Sequence, residues 1–370
     1  MNESYDLIVI GAGPAGSAAA ITAARAGMSV LLLERGRFPR HKVCGEFISA
    51  ESLSLLRWLL GETNPDLVRN SLVLTEGRLL IDGRTLRVPI NPPAASIARY
   101  DLDLALWNAA QQAGARVLSQ TVVQTIGGEG PFLARTSAGD FQARAVINAS
   151  GRWSNLNRAA LPLSNSGWLG IKTHMRGETD STVDLYFFAG GYCGVQPVRG
   201  AGGEPLINVC ALLKPGVSDG LNEVLARHPI LYSRSRAWRP AFAPLSTFPV
   251  IFQEPRPVSD CVINVGDAAG FVDPFVGDGI ALAMRGGNLA ALSLLRFVRE
   301  DCTLASALRT YAKNYRVQLR PVYRSSSLLR KLVGLPRTLR APLLAVAENS
   351  SRVTNYFMQA TRSRSVFAGL

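Results

Sequence analysis

A glycine-rich turn near the start of the chain constrains the fold more than any other feature. The apolar run Leu7 to Ile10 leads directly into the turn Gly11 to Gly16 (GAGPAG), and an alanine-rich stretch follows it. This order predicts a strand, a tight turn and a helix. After Gly27 a second apolar run ends at Glu34, which completes the pattern of a βαβ unit that binds a dinucleotide.

Each residue type in this turn has a physical task. Gly11 permits the turn, Gly13 lets a pyrophosphate approach the backbone, and Gly16 lets the helix pack on the strand. Free N–H groups and the helix dipole favour a phosphate at the first turn of the helix. Glu34 would accept hydrogen bonds from ribose hydroxyls. The alternative is a glycine turn in some other α/β protein, but strand, helix, second strand and acid follow here in the order that dinucleotide binding requires.

The composition is that of an ordinary globular protein with room for two domains. The 370 residues are 47% hydrophobic and 18% charged. No apolar run approaches the roughly 18 to 20 residues that span a bilayer, and acidic residues precede the first apolar run. We therefore expect a cytoplasmic protein without an export signal or membrane anchor. The five cysteines and three histidines are scattered, so no metal site is expected.

The net charge of +13 is concentrated at the C-terminal end. Residues 303–370 contain ten Arg and two Lys against one Glu. Such a segment fits a solvated helical face, an acidic partner or an anionic membrane surface. Apolar pairs such as Leu328-Leu329 alternate with Arg324 and Lys331, as in helices that lie at a membrane interface. We expect peripheral membrane contact through this segment and no nucleic acid partner.

The basic loop that follows Glu34, residues 35–49, is a candidate cover for the ligand. Arg35 would stack on or bond an adenine. The pair Cys44-Gly45 would let the backbone lie against a ring system. The structural alternative for Cys44 is a small buried packing residue.

The middle of the chain predicts a second sheet. Alternating apolar and polar residues indicate a hairpin over 72–89, which Pro92-Pro93 should end, and helical spacing follows over 101–112. Between 168 and 258 strands and turns dominate, with one helical candidate at 221–228. We interpret this region as a separate antiparallel sheet domain that forms the substrate wall.

The last third of the chain begins with another strand-to-glycine turn. A buried-type strand opens into the glycine-rich stretch 266–279, and a helix should start near Ile280. From Gly287 onward the pattern is helical. The breaks predicted in it are at Pro321, Pro336 and Pro342.

Two of these turns together carry a family resemblance. The first turn with Glu34, combined with the distant pair Gly266-Asp267, resembles the p-hydroxybenzoate hydroxylase-like fold of flavoprotein monooxygenases. Within that fold, Lys42 to Gly45, Gly191 to Pro197 and Gly266 to Gly270 are similar to the geranylgeranyl reductase branch. The resemblance covers roughly residues 5–287 and leaves the basic C-terminal segment outside it.

The resemblance implies FAD as the tightly held ligand. It implies that Asp267 holds the ribityl chain, that Arg99 approaches the phosphates, and that the helix starting near Gly279 points its positive end at the flavin. Cys44 and Pro274 are the catalytic candidates, at positions that face the flavin. The cofactor-binding residues implied are Gly11, Gly13, Pro14, Ala15, Gly16, Glu34, Arg35, Cys44, Gly45, Arg99, Gly266, Asp267, Gly277, Gly279 and Ile280.

We therefore predict an α/β protein with three parts. These are a Rossmann-like FAD-binding domain with a βββ/βαβ core (1–71, 94–160 and 259–300), an inserted antiparallel-sheet substrate domain (72–93 and 161–258), and a basic helical C-terminal segment (301–370).

Three functions follow from this interpretation. The first is an FAD-dependent oxidoreductase that reduces carbon–carbon double bonds of a hydrophobic, isoprenoid or polyketide-like substrate. The second is a flavin-dependent monooxygenase that hydroxylates or halogenates a small molecule; Ser150-Gly151 stands where aromatic hydroxylases carry Asp-Gly, which disfavours it. The third is a flavin-binding protein that docks to a membrane or partner and has only vestigial chemistry. With no second dinucleotide fingerprint, electrons would come from transiently bound NAD(P)H or a reduced protein.

Overall fold

The computed structural model describes residues 3–152, 156, 167–218 and 220–349. The strands are β1 Ser4–Ile10, β2 Val30–Leu33, β3 Phe47–Ile48, β4 Leu72–Ile81, β5 Arg84–Ser96, β6 Arg116–Leu118, β7 Val123–Gly127, β8 Phe132–Thr136, β9 Gly139–Asn148, β10 Trp168–Arg176, β11 Thr182–Phe188, β12 Gly191–Arg199, β13 Pro205–Leu213, β14 Arg239–Pro240, β15 Leu245–Val250, β16 Val258–Ser259 and β17 Val262–Asn264. The helices are α1 Pro14–Arg25, α2 Ala50–Leu60, α3 Asp66–Arg69, α4 Arg99–Gln112, α5 Leu221–Ala226, α6 Pro229–Ser235, α7 Gly279–Val298, α8 Leu304–Gln318, α9 Arg320–Val333 and α10 Arg337–Asn349.

The first sheet contains the predicted βαβ unit. Its strand order is β16-β17-β9-β1-β2-β6, and β1 pairs in parallel with both β2 and β9. Leu7, Ile8 and Val9 are fully buried because helices cover one face and the β7-β8 hairpin lies against the other. Parallel strands buried on both faces explain why these runs are almost entirely apolar.

Close packing of glycine fixes α1 against its neighbours. A Cβ on Gly16 would lie 1.7 Å from the carbonyl oxygen of Gly11, so only glycine lets α1 approach the turn. A Cβ on Gly287 would lie 2.0 Å from the carbonyl oxygen of Ala15, which brings α7 equally close to α1. The start of α1 therefore packs against the middle of α7, near the carboxyl ends of β1 and β17, the usual ligand edge of such sheets.

The second sheet is mostly antiparallel, as predicted. Its strand order is β14-β10-β13-β12-β11-β4-β5-β3. Strand β15 pairs with β10 on the same edge as β14, opposite β13, and β11 pairs in parallel with β4. The hairpin turn between β4 and β5 is at Asp82 and Gly83, both with positive φ (55° and 81°), as in a type I′ turn. The α/β fold class is thus confirmed, while the division into three parts stays a prediction.

Two local predictions in this sheet are wrong. Strand β5 does not end before Pro92 but continues to Ser96. Pairing with β4 skips from Pro89–Glu76 to Ala94–Leu74, so the prolines occupy a bulge where no N–H is needed. Only one helix was predicted between 168 and 258, but the described residues of this region contain two: α5 matches the helix predicted at 221–228, and α6 follows from Pro229.

The C-terminal segment is helical as far as the structure describes it. Pro321 is at the start of α9 and Pro336 lies between α9 and α10, as predicted, but Pro342 lies inside α10. A proline inside the helix removes one backbone hydrogen bond. Ion pairs between α10 and the β4-β5 hairpin offset this loss. Predictions for 350–370 fall outside the described residues. None of the helices in the described part has the length and hydropathy to span a bilayer.

Candidate functional site

A cavity of about 1030 Å³ is lined by residues from both sheets and from helices α9 and α10. Its size is at the upper limit of the roughly 300 to 1,000 Å³ common for small-molecule sites. The predicted residues that line it are Gly11, Gly13, Pro14, Ala15, Glu34, Arg35, Cys44, Gly45, Arg99, Gly266, Asp267, Pro274, Gly277, Gly279 and Ile280. Gly16 does not line the cavity; it packs α1 on the turn, the task expected of it.

One end of the cavity, called here the glycine end, is formed by Gly11, Gly13 and Gly266. A Cβ on Gly13 would have only the Arg99 guanidinium within 4 Å, at 3.9 Å, so open space lies above this backbone. In the described chain no side chain caps the N-terminus of α1, where Gly13 is the N-cap residue. Open space over unpaired N–H groups at a helix start fits a pyrophosphate, so these residues fit the ADP half of FAD.

Glu34 at the end of β2 is tied to the turn that it follows. Its carboxylate accepts hydrogen bonds from the Ala12 N–H (3.0 Å) and the Gly36 N–H (2.8 Å), and it pairs with Arg40 at 3.0 Å. Burial alone would raise the pKa of Glu34, but Arg40 and the two N–H groups outweigh burial and lower it. The acid is therefore ionised and still borders the cavity.

Cations gather beside the glycine end. The Arg99 guanidinium makes two hydrogen bonds to Asp103, at 2.6 and 2.7 Å, which fixes it near Gly13. Burial, together with Arg40 and Arg99, lowers the pKa of Lys42 to about 8. Such a group of cations favours an anionic ligand such as a pyrophosphate.

The turn after β17 supplies Gly266 to the glycine end. Gly266 has a φ of +59°, and a Cβ there would lie 2.9 Å from the Cβ of Ala15, so the turn and α1 are in contact. Asp267 borders the cavity with 42% of its side chain exposed, and Arg152 lies 3.7 Å from it. The Arg152 guanidinium in turn stacks over the ring of Phe271 at 4.2 Å. A carboxylate so placed can accept from ligand hydroxyls.

Helix α7 begins at the wall of the cavity. Just before it, Asp273 accepts from the Phe275 N–H at 3.3 Å and starts the short 3-10 turn that contains Pro274. Gly277 ends this turn with a φ of +73°. Pro274, Gly277 and Gly279 all border the cavity, where the helix dipole favours negative charge on a ligand.

The loop of Cys44 and Gly45 is held by a buried charged cluster that the sequence analysis missed. Glu46 is fully buried and pairs with Lys172, while its other oxygen is 2.8 Å from Nε2 of His174. Burial alone would raise the pKa of Glu46, but Lys172 and His174 lower it to about 2. The available signal was a lysine and a histidine inside the otherwise apolar run of β10.

The opposite end of the cavity, called here the apolar end, has a different lining. Leucine and valine side chains from both arms of the β4-β5 hairpin and from β11 line it, and α9 and α10 add theirs. Typical members are Leu79, Val88, Leu185, Leu332 and Leu344. The C-terminal helices are thus part of the cavity wall, a role that the charge of this segment did not indicate.

Comparisons with family models, with protein sequences and with solved structures agree on the kind of protein. The family model for FAD dependent oxidoreductases matches residues 6–39. A digeranylgeranylglycerophospholipid reductase 2 of Methanopyrus kandleri is 30% identical over 336 residues, covering 83% of this chain and 81% of the relative. A geranylgeranyl bacteriochlorophyll reductase-like structure from Thermoplasma acidophilum has a TM-score of 0.75 and 21% identity, covering 97% of this chain and 96% of that chain.

A flavin-dependent brominase also has the same fold, with a TM-score of 0.75 and 20% identity over 96% of this chain and 98% of its own. Fold similarity at this identity does not choose a reaction. The expectations of an FAD-dependent oxidoreductase and of FAD as cofactor are confirmed. The roles of the individual site residues stay predictions.

Proposed function

Because the chain belongs to the geranylgeranyl reductase-like family of FAD-dependent oxidoreductases, we propose that it reduces carbon–carbon double bonds of an isoprenoid substrate. The relative from Methanopyrus kandleri is named for a phospholipid with geranylgeranyl chains. A substrate of the same class would be a long, branched and mostly apolar chain.

One observation carries the proposal: the glycine end and the apolar end belong to one continuous cavity. A chain that enters along Leu332 and Leu344 would reach the loops of Cys44 and Pro274 without leaving an apolar surface. A small polar substrate would leave most of this apolar wall without a contact. Burial of apolar area, at about 25 cal/mol per Å², would supply the binding energy.

The protein's own residues have separable tasks in this reaction. Gly13 and the start of α1 would bind the pyrophosphate, and Asp267 would accept from the ribityl hydroxyls. When bound, reduced FAD supplies the hydride. The start of α7 at Gly279 would favour negative charge at the adjacent edge of the ring system, and the apolar wall excludes water from the double bond.

Cys44 and Pro274 are the residues we propose at the two sides of the ring system. Both border the cavity that the glycine end and the apolar end share. Cys44 would contact the double bond or the ring, and Pro274 would limit how the chain lies over it. Electrons would arrive from transiently bound NAD(P)H or from a reduced protein.

We also propose that the substrate is drawn from an anionic membrane surface. Leu328 on α9 and Leu339 and Val346 on α10 are 54%, 59% and 56% exposed. These two helices also form part of the wall of the apolar end. The exposed cations Lys331 and Arg337 flank them. Exposed apolar side chains bordered by cations suit the interface of anionic lipid.

The reaction is tested by reducing the purified protein with dithionite under argon and adding a geranylgeranyl lipid. We expect each reduced double bond to add two hydrogen atoms to the mass of the lipid and one equivalent of oxidised flavin to form. A protein whose flavin stays reduced, with a lipid of unchanged mass, would contradict the proposal. A saturated phytanyl lipid is the matched control, because it has no double bond to accept the hydride.

A further inference from the structure

A fully buried carboxylate, Glu46, joins three separate parts of the chain. Its Oε1 accepts from the Lys172 ammonium and from the Arg99 N–H at 2.8 Å, and its Oε2 is 2.8 Å from Nε2 of His174. Lys172 and His174 lie on β10 of the second sheet, and Arg99 starts α4. Glu46, Lys172 and His174 are 0%, 0% and 1% exposed, so water does not weaken these contacts.

The same residue ends the loop that carries Cys44. The Glu46 N–H lies 3.4 Å from Sγ of Cys44, and the Glu46 carbonyl accepts from the Ile97 N–H at 3.1 Å. The carbonyl oxygens of Cys44 and Gly45 both accept from the Asn208 side-chain amide, at 3.2 and 2.8 Å. The contacts with Asn208 and Ile97 hold the loop to the second sheet and to the segment that leads into α4.

The backbone of Glu46 is in a conformation that glutamate rarely adopts. Its φ is +60°, in the left-handed region that costs free energy for residues with a Cβ. Such a conformation persists only where the surroundings over-determine it, and here the side chain supplies the contacts that do so. Release of the side chain would therefore let the loop relax.

Resting on the proposed function, we propose that Glu46, held by Lys172 and His174, is a positioning residue that fixes the Cys44-Gly45 backbone beside the flavin. Cys44 would be the group that touches the ring or the substrate, and Glu46 would act only through it. The second sheet thereby sets the geometry of a loop that belongs to the cofactor side of the cavity. A purely structural ion pair would have no effect on the surroundings of Cys44.

The test compares variants of the full-length, FAD-bound protein by two measurements that need no turnover. One is the rate of Cys44 alkylation by N-ethylmaleimide, followed by peptide mass; the other is the visible spectrum of the flavin. The main variant is Glu46→Leu with Lys172→Met, since removal of both charges avoids an unpaired buried ion. We expect alkylation to be roughly tenfold faster or more, because thiol reactivity follows access and thiolate fraction, and we expect the flavin bands to shift.

Two further variants separate positioning from folding. Asn208→Leu removes the two bonds to the loop carbonyls and leaves the charged cluster intact, so it should change both measurements even where the double variant does not fold. Asp184→Asn is the matched control: Asp184 is also a buried carboxylate, 1% exposed, and pairs with Arg78 and Arg234. It should leave Cys44 alkylation and the spectrum unchanged.

His174→Gln adds a rescue, since glutamine can still donate to Glu46, whereas His174→Leu cannot. We expect the first to resemble the unaltered protein and the second to resemble the double variant. Folded double and Asn208→Leu variants with unchanged alkylation and spectra would overturn the positioning role. That result would leave double-bond reduction untouched, whereas a protein that fails to reduce the lipid but shows these shifts would refute only the proposed reaction.

Discussion

Arg340 and Asp82 form a two-bond ion pair, with N–O distances of 2.7 and 2.8 Å, between helix α10 and the turn of the β4-β5 hairpin. Their side chains are only 19% and 14% exposed. The pair with Arg340, more than burial, sets the pKa of Asp82 below its usual value. Since α10 supplies Leu343 and Leu344 to the apolar end, this pair holds part of the cavity wall.

Asp82→Asn should loosen α10. Asparagine tolerates the positive φ of the turn, so the variant removes the charge and keeps the hairpin. A charged hydrogen-bonded pair contributes about 1.5 to 3 kcal/mol, and we expect faster hydrogen exchange over 337–349. Glu348→Gln is the control, because its pair with Arg84 is 39% exposed on each side and is worth at most about 1 kcal/mol. Equal exchange in both variants would contradict the prediction.

Asp267→Ala should lose most of its FAD. One charge-assisted bond to the ribityl chain is worth about 1.5 to 3 kcal/mol, which is roughly a 10-fold to 150-fold rise in the dissociation constant. The measurement is titration of the FAD-depleted protein with FAD, followed by flavin fluorescence. Asp301→Ala, at an exposed acid after α7, should bind FAD normally. Retention of tight binding in Asp267→Ala would show that this turn does not contact the cofactor.

Asp273→Asn should change stability in a pH-dependent way. Burial, opposed by the Phe275 N–H, Arg330 and Tyr192, raises the pKa of Asp273 from 3.8 to about 6. The folded state therefore binds this proton more tightly than the unfolded state, and its contribution to stability falls as pH rises from about 4 to about 6. Asparagine does not titrate, so the variant does not lose this stability. Its free energy of unfolding minus that of the unaltered protein should therefore increase between about pH 4 and about pH 6.

Urea unfolding of both proteins at about pH 4 and about pH 7 measures the difference. Asp140→Asn, at an exposed position in β9, is the control and should show no such trend. A difference between Asp273→Asn and the unaltered protein that is the same at both pH values would contradict the raised pKa.

Anionic liposomes should bind the protein through α9 and α10. Replacement of Leu328 and Leu339 with serine should reduce sedimentation with anionic vesicles, since both side chains are more than half exposed. High salt should also reduce it, because each cation near the surface contributes about 1 kcal/mol. Val317→Ser is the control, at a 67% exposed position on α8. Equal sedimentation with neutral vesicles, or none at all, would remove the membrane from the proposal.

The parts of the site that local sequence determines were predictable. The turn Gly11 to Gly16 and the start of α7 at Gly279 have the expected form, because short-range sterics of glycine and helix termini dictate them. Residues from this turn and from the start of α7 border a single cavity even though more than two hundred positions separate them. The family resemblance supplied that juxtaposition; residue patterns alone did not.

The parts that depend on long-range contacts were not predictable. Glu46 meets Lys172 and His174 across 126 and 128 positions of sequence, and no local pattern pairs them. The role of α9 and α10 as a cavity wall was hidden for the same reason, because their charge indicated only what their outer surface could bind. Pro92 was misjudged since it lies in a bulge of β5, where its missing N–H is not needed for pairing with β4.

The ratio of reduced product to oxygen consumed tests the central claim most directly. Photoreduced protein is mixed with a geranylgeranyl lipid at several oxygen concentrations, and reduced lipid, oxygenated or halogenated lipid and oxygen uptake are measured together. A double-bond reductase should form one reduced bond per reduced flavin without oxygen, and its yield should fall as oxygen competes for the electrons. Product that forms only with oxygen, in a one-to-one ratio with the oxygen consumed, would contradict the account and identify a monooxygenase.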